Sequence, residues 1–415
     1  MMIRPIRPKP SESEDEEEIG SFDRAIAIIR YGMRLLGYWP QDTWFLCNLQ
    51  CGSIFILIVF ITFPAIVQTY TVLYTVTDWN SVMHEILGTV PIIPLLARFV
   101  FMKVMARNFR FILYTMTADW ANYRYLAKRS RQIMIYYAKR GRRFSILSTV
   151  LMMLATMGFM LTPVVNMWRN NGVWNATIRT LPQEGLYPFR DKESPVYEIL
   201  YVVQSFTAFF SATALATVDC FLYIIVFHAC GQFDVLAATL KQYDGSIRHR
   251  YTKNARNCAC LSCIIKLHVH ILSYVGIIEK SFRDFLLLQL LSYWMMLILY
   301  GRELILHVQH GNVNDIITTI LYMLAMMYYI FIYCYLSECI IEKSENIGTI
   351  AHNLEWQRFP RDSNLPIIVA RARIPCKLTA GRFFTLSFPF YTTILTTTIS
   401  YISVLAALNE TNFHK

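Results

Sequence analysis

Charge is scarce in this sequence. Only 16% of its 415 residues are Asp, Glu, Lys or Arg, against 55% hydrophobic. Soluble domains carry roughly a quarter charged residues, so a water-soluble chain of this size could hardly cover its own surface. A bilayer removes that requirement, because lipid solvates apolar side chains directly. A cleavable leader is also missing. The first 20 residues contain no apolar run, and residues 12–18 are nearly all acidic. The first hydrophobic span must therefore insert the chain, and the acidic stretch reads as a disordered, solvated tail. Catalytic signatures are absent as well: there is no Gly-rich phosphate loop, no His-Glu-x-x-His and no Gly-x-Ser-x-Gly. The chain reads as a non-enzyme without a cofactor.

Ten cysteines are present, but none falls in a segment assigned to the outside, so no extracellular disulfide is expected. Cys258, Cys260 and Cys263 lack a second pair or a matching histidine cluster. They read as reduced cytosolic thiols, with no metal. His268 and His270 lie close together beside the same loop without partner ligands, and read as surface histidines.

What the sequence has in abundance is apolar runs. A hydrocarbon core of about 30 Å takes roughly 20 helical residues, and seven stretches qualify: 45–67, 80–101, 144–164, 198–227, 284–306, 314–337 and 384–408. Pro91 and Pro94 interrupt the second, which can still span if neighbouring helices re-satisfy the freed backbone groups. The net charge of +11 lies between the apolar runs, which is a membrane pattern and argues against nucleic acid. The segments on the side of the N-terminus carry 32 Lys and Arg, those on the other side 5. Positive residues stay cytoplasmic. The N-terminus is therefore expected inside and the C-terminus outside. Two N-x-[ST] acceptors, Asn175 and Asn409, fall on the outer side and are candidate glycosylation sites.

The expected architecture is an all-α membrane protein with seven transmembrane helices, extended into a cytoplasmic anchor domain. Residues 1–44 form a cytoplasmic segment. Residues 45–337 hold spans one to six with long cytoplasmic loops, one of them helical over Asn108–Lys139. Residues 338–383 form an anchor segment, and 384–415 hold the last span and a short outer tail.

Three groups of residues within the spans bear on function. In the last span, 393, 397, 400, 404 and 408 share one helical face. That face is hydroxylated at Thr393, Thr397 and Ser400 and turns apolar at Val404 and Leu408. It fits a water-filled pore with a hydrophobic constriction, and equally hydroxyls bonded back to helix carbonyls or across a helix contact. The outer halves of other spans are rich in aromatics and methionines: Met153, Met157 and Met160 with Thr156, Phe206, Phe209 and Phe210 with Thr213, and Tyr322 with Met326. These read either as ordinary packing and lipid contact or as an apolar pocket for a small volatile molecule. Among charges, Asp219 in span four faces a vestibule or pairs with a neighbouring helix. Arg98 and Arg302 read as snorkelling residues near span ends, and His84 and Glu85 as markers of the outer interface.

At this point the chain resembles the insect odorant receptor family. The resemblance is densest over 335–408: Tyr335-Leu336-Ser337-Glu338, Glu355-Trp356 to Pro360, Ile367 to Ala372, Leu378-Thr379-Ala380-Gly381, and Ser400-Tyr401 followed by Val404. It implies an odorant-gated, non-selective cation channel in the plasma membrane of olfactory sensory neurons. The resemblance further implies a tetramer with the last helix lining a central pore and Val404 and Leu408 at the gate. Most members assemble with a shared co-receptor. That co-receptor carries a large insertion between spans four and five which looks absent here, so the chain resembles a ligand-tuning subunit. Gustatory receptors end in Thr-Tyr, five residues, then Gln-Phe, where this chain has Ser400-Tyr401 and Ala407-Leu408. A G-protein-coupled receptor predicts an outside N-terminus, against the charge split, and its Asp-Arg-Tyr and Asn-Pro-x-x-Tyr are missing. A transporter would favour two related halves with broken helices, and no such repeat is present.

Overall fold

A computed structural model describes residues 13–39, 44–76, 79–122, 126–169, 179–243, 245–246, 258–311, 313–354 and 365–413. Eleven helices and one short hairpin make up the described chain. The helices run α1 (Ser13–Leu35), α2 (Trp44–Thr75), α3 (Trp79–Thr89), α4 (Ile92–Val104), α5 (Ala106–Ala121) and α6 (Lys128–Arg169). They continue with α7 (Val196–Leu240), α8 (Leu261–His310), α9 (Val313–His352), α10 (Leu365–Ala372) and α11 (Phe388–Phe413). Strands β1 (Thr379–Ala380) and β2 (Phe384–Thr385) pair antiparallel just before α11.

Six helical stretches among the described residues are long and apolar enough to cross a membrane: Phe45–Thr75, Ser81–Val104, Lys128–Val165, Val196–Leu240, Leu261–Gln309 and Asp315–His352. Helix α11 is the seventh. The second crossing breaks where the prolines predict, with α3 ending at Thr89 and α4 starting after Pro91. Helices α7, α8 and α9 run 45, 50 and 40 residues. At about 1.5 Å per residue each is far longer than a bilayer core needs. The surplus lies at the end of the bundle that carries α1, and there it packs with α1, α5, α10 and the hairpin.

Helix α7 is the axis of this packing. From Ala212 to Leu240 every residue except Leu215, Asp234 and Thr239 is buried. A helix apolar on all faces must be surrounded, and α7 touches α1, α2, α4, α5, α6, α8 and α9.

Two local expectations are corrected. The acidic stretch is not wholly an irregular tail, because α1 begins at Ser13. The amphipathic run Asn108–Lys139 is two helices, α5 ending at Ala121 and α6 starting at Lys128. Leu113, Met116 and Trp120 sit on α5 and Leu126 in the connection, while Tyr123 lies outside the described residues.

Candidate functional site

The start of α11 is held by α8 and α9 through the hairpin. The Leu378 N–H donates to Ser337 Oγ at 3.0 Å, and the Thr379 hydroxyl to Glu279 Oε1 at 2.7 Å. The Gly381 N–H donates to the Arg283 carbonyl at 2.9 Å and the Phe388 N–H to Glu338 Oε2 at 3.2 Å. Gly381 turns the hairpin at φ +60°, and a Cβ there would stand 2.8 Å from Leu287. Only glycine adopts that conformation in that space without strain.

Beyond this clamp α11 has two unlike faces. Ile394 and Thr398 are buried, and Trp294 Nε1 donates to Thr398 Oγ1 at 3.1 Å. One and a bit turns later Ile402 lies against Gly301 of α8 so closely that a Cβ there would overlap it. The opposite face exposes Thr393, Thr396, Ser400, Ser403 and Val404, with Thr397 half-buried. The hydroxyls on it donate along the helix: Thr393 to the Pro389 carbonyl at 2.9 Å, Thr397 to Thr393 at 2.7 Å, Ser400 to Thr396 at 3.0 Å. The two readings of this stripe are therefore not exclusive. Each hydroxyl hydrogen is used within the helix, while its oxygen keeps acceptor capacity. An uncharged row of such oxygens can accept from water or face a cation. Leu408 and Asn409 belong to the α11 backbone, with side chains outside the described residues, as is the whole of Asn175.

The aromatic and methionine group is split. Met157, Phe206 and Phe209 are exposed on the outside of the single chain, and Met153, Thr156, Met160, Phe210, Tyr322 and Met326 are half-buried. Thr213 is buried, its hydroxyl donating to the Phe209 carbonyl at 2.9 Å. What the fold brings together is a small apolar cluster at the end of the bundle away from α1: Leu87 and Val90, with Met296 and Leu299 of α8. Met83, Ile86, Tyr300 and Met326 pack against it, and Tyr300 stacks on Tyr322 at 5.3 Å. Met326 alone of the residues singled out touches both this cluster and the main core. Sequence reading reaches the spans that hold α3 and α8 but names none of these members. Their methionine and aromatic content was the available signal.

Within the enclosed part of the bundle, where α7 is buried from Ala212 on, lies a buried polar network. Arg98 Nη1 is 3.2 Å from Asp219 Oδ1, both groups fully buried. The guanidinium also donates to Gln289 Oε1 at 3.1 Å, the Leu215 carbonyl at 2.7 Å and Tyr293 OH at 3.3 Å. Tyr333 OH donates to Asp219 Oδ1 at 2.8 Å. Arg98 therefore does not snorkel: it ties α4 to α7 and α8. Arg302 does not snorkel either, being buried and paired with Glu303 at 2.7 Å. Glu85 marks more than an interface, since it accepts from Gln68 at 2.9 Å across the α2–α3 contact.

The histidines beside the α7–α8 loop are corrected too. His268 is buried. His270 and His228 both reach the Asp119 carboxylate, His270 Nε2 at 3.1 Å from Oδ1 and 3.2 Å from Oδ2, and His228 Nε2 at 3.2 Å from Oδ2. Burial alone would raise the Asp119 pKa, but the hydrogen bonds and charges of the two imidazoles outweigh it and hold the carboxyl below the ordinary range.

The sequence model of the 7tm Odorant receptor family matches residues 80–399. Odorant receptor 13a of Drosophila melanogaster is 22% identical over 284 residues, 65% of this chain and 67% of that protein. Odorant receptor Or2 of Anopheles gambiae is 25% identical over 360 residues, 82% and 89% of the two chains. Among solved structures, the insect olfactory receptor OR5 from Machilis hrabei in complex with eugenol superposes with a TM-score of 0.74 at 15% identity, covering 95% of this chain and all of that one.

Proposed function

The chain belongs to the 7tm odorant receptor family, and from that premise we propose that it is an odorant-gated, non-selective cation channel subunit whose pore is lined by α11. The observation that carries the reading is the two-faced α11. One face, with Ile394 buried, is docked on α8 by Thr398 and Ile402, and the other leaves Thr393, Ser400 and Val404 without cover in the single chain. A face of hydroxyl oxygens ending in Val404 suits the wall of a central pore in an assembly of several copies. Val404 and Leu408 form its hydrophobic constriction.

The ligand is a small volatile organic molecule, in keeping with the eugenol complex of the Machilis receptor. It binds in the half of the bundle away from α1, where Met326, Tyr322 and the α3–α8 cluster supply an apolar lining. Met153, Thr156, Met160, Phe210 and Thr213 line the α6–α7 side. Met157, Phe206 and Phe209 face lipid or a neighbouring subunit. The 32-to-5 charge split supports a cytoplasmic N-terminus and an extracellular C-terminus, which puts the α1 end and the anchor segment 338–383 in the cytoplasm. Partners are a co-receptor subunit in a heterotetramer in the plasma membrane of olfactory neurons, with this chain as the ligand-tuning member. Asn175 and Asn409 are glycosylation candidates on the outer side.

Ligand binding shifts the population toward a state in which α11 moves outward and the Val404–Leu408 constriction widens. Single cysteines at 393, 397, 400 and 404, coexpressed with a co-receptor, test this. Thiol reagents applied during odorant-evoked current are expected to change conductance at stripe positions and not at Thr398. Currents unchanged at every stripe position would remove α11 from the pore. Current abolished by G-protein block would return the coupled-receptor reading.

A further inference from the structure

The α7–α8 loop ends in Cys258-Ala259-Cys260-Leu261-Ser262-Cys263, and the fold gathers its sulfurs. All three Sγ atoms lie within 4.8 Å of one another. Cys260 is extended (φ −69°, ψ 152°) and occupies the position just before α8, and Cys263 falls in the first turn. The Cys263 and Ile264 N–H groups donate to the Cys260 carbonyl at 3.1 Å, and the Leu261 N–H to the Ser246 carbonyl at 3.0 Å. The backbone thus fixes Cys260, which is fully buried, while Cys258 and Cys263 are half-buried. No disulfide links any of the ten cysteines.

From this geometry we propose that Cys258, Cys260 and Cys263 form a three-thiolate site for a soft d10 metal ion, Cu+ or Zn2+. Thiolates bound at about 2.3 Å around one ion stand roughly 4 Å apart, so the observed separations need tightening by less than about 1 Å. Thiolates select soft ions over Mg2+ or Ca2+. The group contains no fourth histidine or carboxylate among the described residues. Among the described residues the site therefore offers three ligands. It suits three-coordinate Cu+, or Zn2+ with one exchangeable position. The absence of a second pair, which argues against zinc from spacing alone, does not argue against this. The bound ion would pin the loop to the end of α8, the helix that carries Gln289, Tyr293 and Trp294 to their partners. With the cytoplasmic orientation proposed above, the thiols face a reducing compartment that keeps them available.

The full-length chain in nanodiscs is the material for the test. Maleimide labelling of Cys258 and Cys263, resolved by peptide mass spectrometry, is measured with and without buffered Zn2+ or Cu+. Ion binding is expected to slow labelling of both residues at least roughly tenfold, because a metal-bound thiolate is not free to attack, and a chelator should restore it. The ion that protects at the lower free concentration is the preferred one. The C258S/C260S/C263S variant should lose the stoichiometric metal that the wild type retains. Should that variant not fold, wild-type protection decides alone. No protection by either ion, protection reversed only by a reductant, or equal metal in the triple variant would each overturn the site. None of these readouts involves odorant or current, so its failure is separate from failure of the channel reading.

Discussion

The two ends of the helix bundle are built differently. Most of the apolar stretch of α7 is buried within the chain, and little of that of α6. The contrast continues along α7 itself. Past Ala212 nearly every side chain is enclosed, whereas Ile199, Val202, Phe206 and Phe209 stay exposed toward the other end. The α1 end is thus a dense scaffold locked by buried polar contacts, and the far end is a loosely covered set of apolar helices. Elements that must move are drawn from the less stable parts of a structure. Ligand response and fold stability are therefore expected to be separable by mutation.

The largest effect should come from breaking the lock. Asp219→Ala leaves the Arg98 guanidinium buried beside Tyr293 and Gln289 with no counter-charge. Removing one partner of a buried pair costs about 3–5 kcal/mol, against a total stability of about 5–15 kcal/mol. Fluorescence-detected gel filtration should show little folded receptor. An Arg98→Met, Asp219→Leu double variant should recover part of it, because an apolar pair carries no desolvation cost. A normal profile for Asp219→Ala would mean that the dense end is not held by this pair.

At the loose end the expectation reverses. Met326 is half-buried between the main core and the Leu87–Met296 cluster. Met326→Ala should leave the gel-filtration profile unchanged and raise the odorant concentration for half-maximal current by roughly tenfold, equivalent to about 1.4 kcal/mol. Loss of folded protein instead would erase the distinction between the two ends.

Much of this division is legible in the sequence, and the illegible part has a common cause. The spans follow from composition, and the break after Thr89 follows from Pro91. The two faces of α11 follow from its hydroxyl spacing. Arg98 and Asp219 were each visible as a charge in an apolar run, but their pairing spans 121 positions and depends on how α4 meets α7. Snorkelling is the local reading of Arg98, which tertiary packing overrides, whereas pairing with a neighbouring helix is one of the two readings of Asp219 and is what the structure shows. The same holds for Leu87 and Met296, which share a cluster only after α3 folds against α8. The sulfurs of Cys258, Cys260 and Cys263 meet because α8 starts where it does. A helix boundary of that kind is what spacing alone specifies least well.

The smallest effect sharpens the comparison within the dense end. Asp119 joins α5 to α7 and α8 through His228 and His270, but His270 is 42% exposed, so water competes for part of the contact. Asp119→Asn keeps the shape and removes the charge. Hydrogen bonds to a charged group are worth roughly 1 kcal/mol more than neutral ones, and the stability loss at neutral pH should be about that size. The pH dependence has a definite sign. Burial raises the Asp119 pKa and the two imidazoles lower it further, so the folded value lies below the ordinary one. A carboxyl of that kind stabilises the fold fully above its unfolded value of about 3.9 and loses the contribution as pH falls through the folded value. Thermal unfolding should find the gap between wild type and Asp119→Asn at full size above about pH 4 and shrinking as pH falls below it. A gap that did not shrink there would mean that the Asp119 charge is not what stabilises this contact, leaving the periphery of the dense end held by shape and only its Arg98–Asp219 centre by charge.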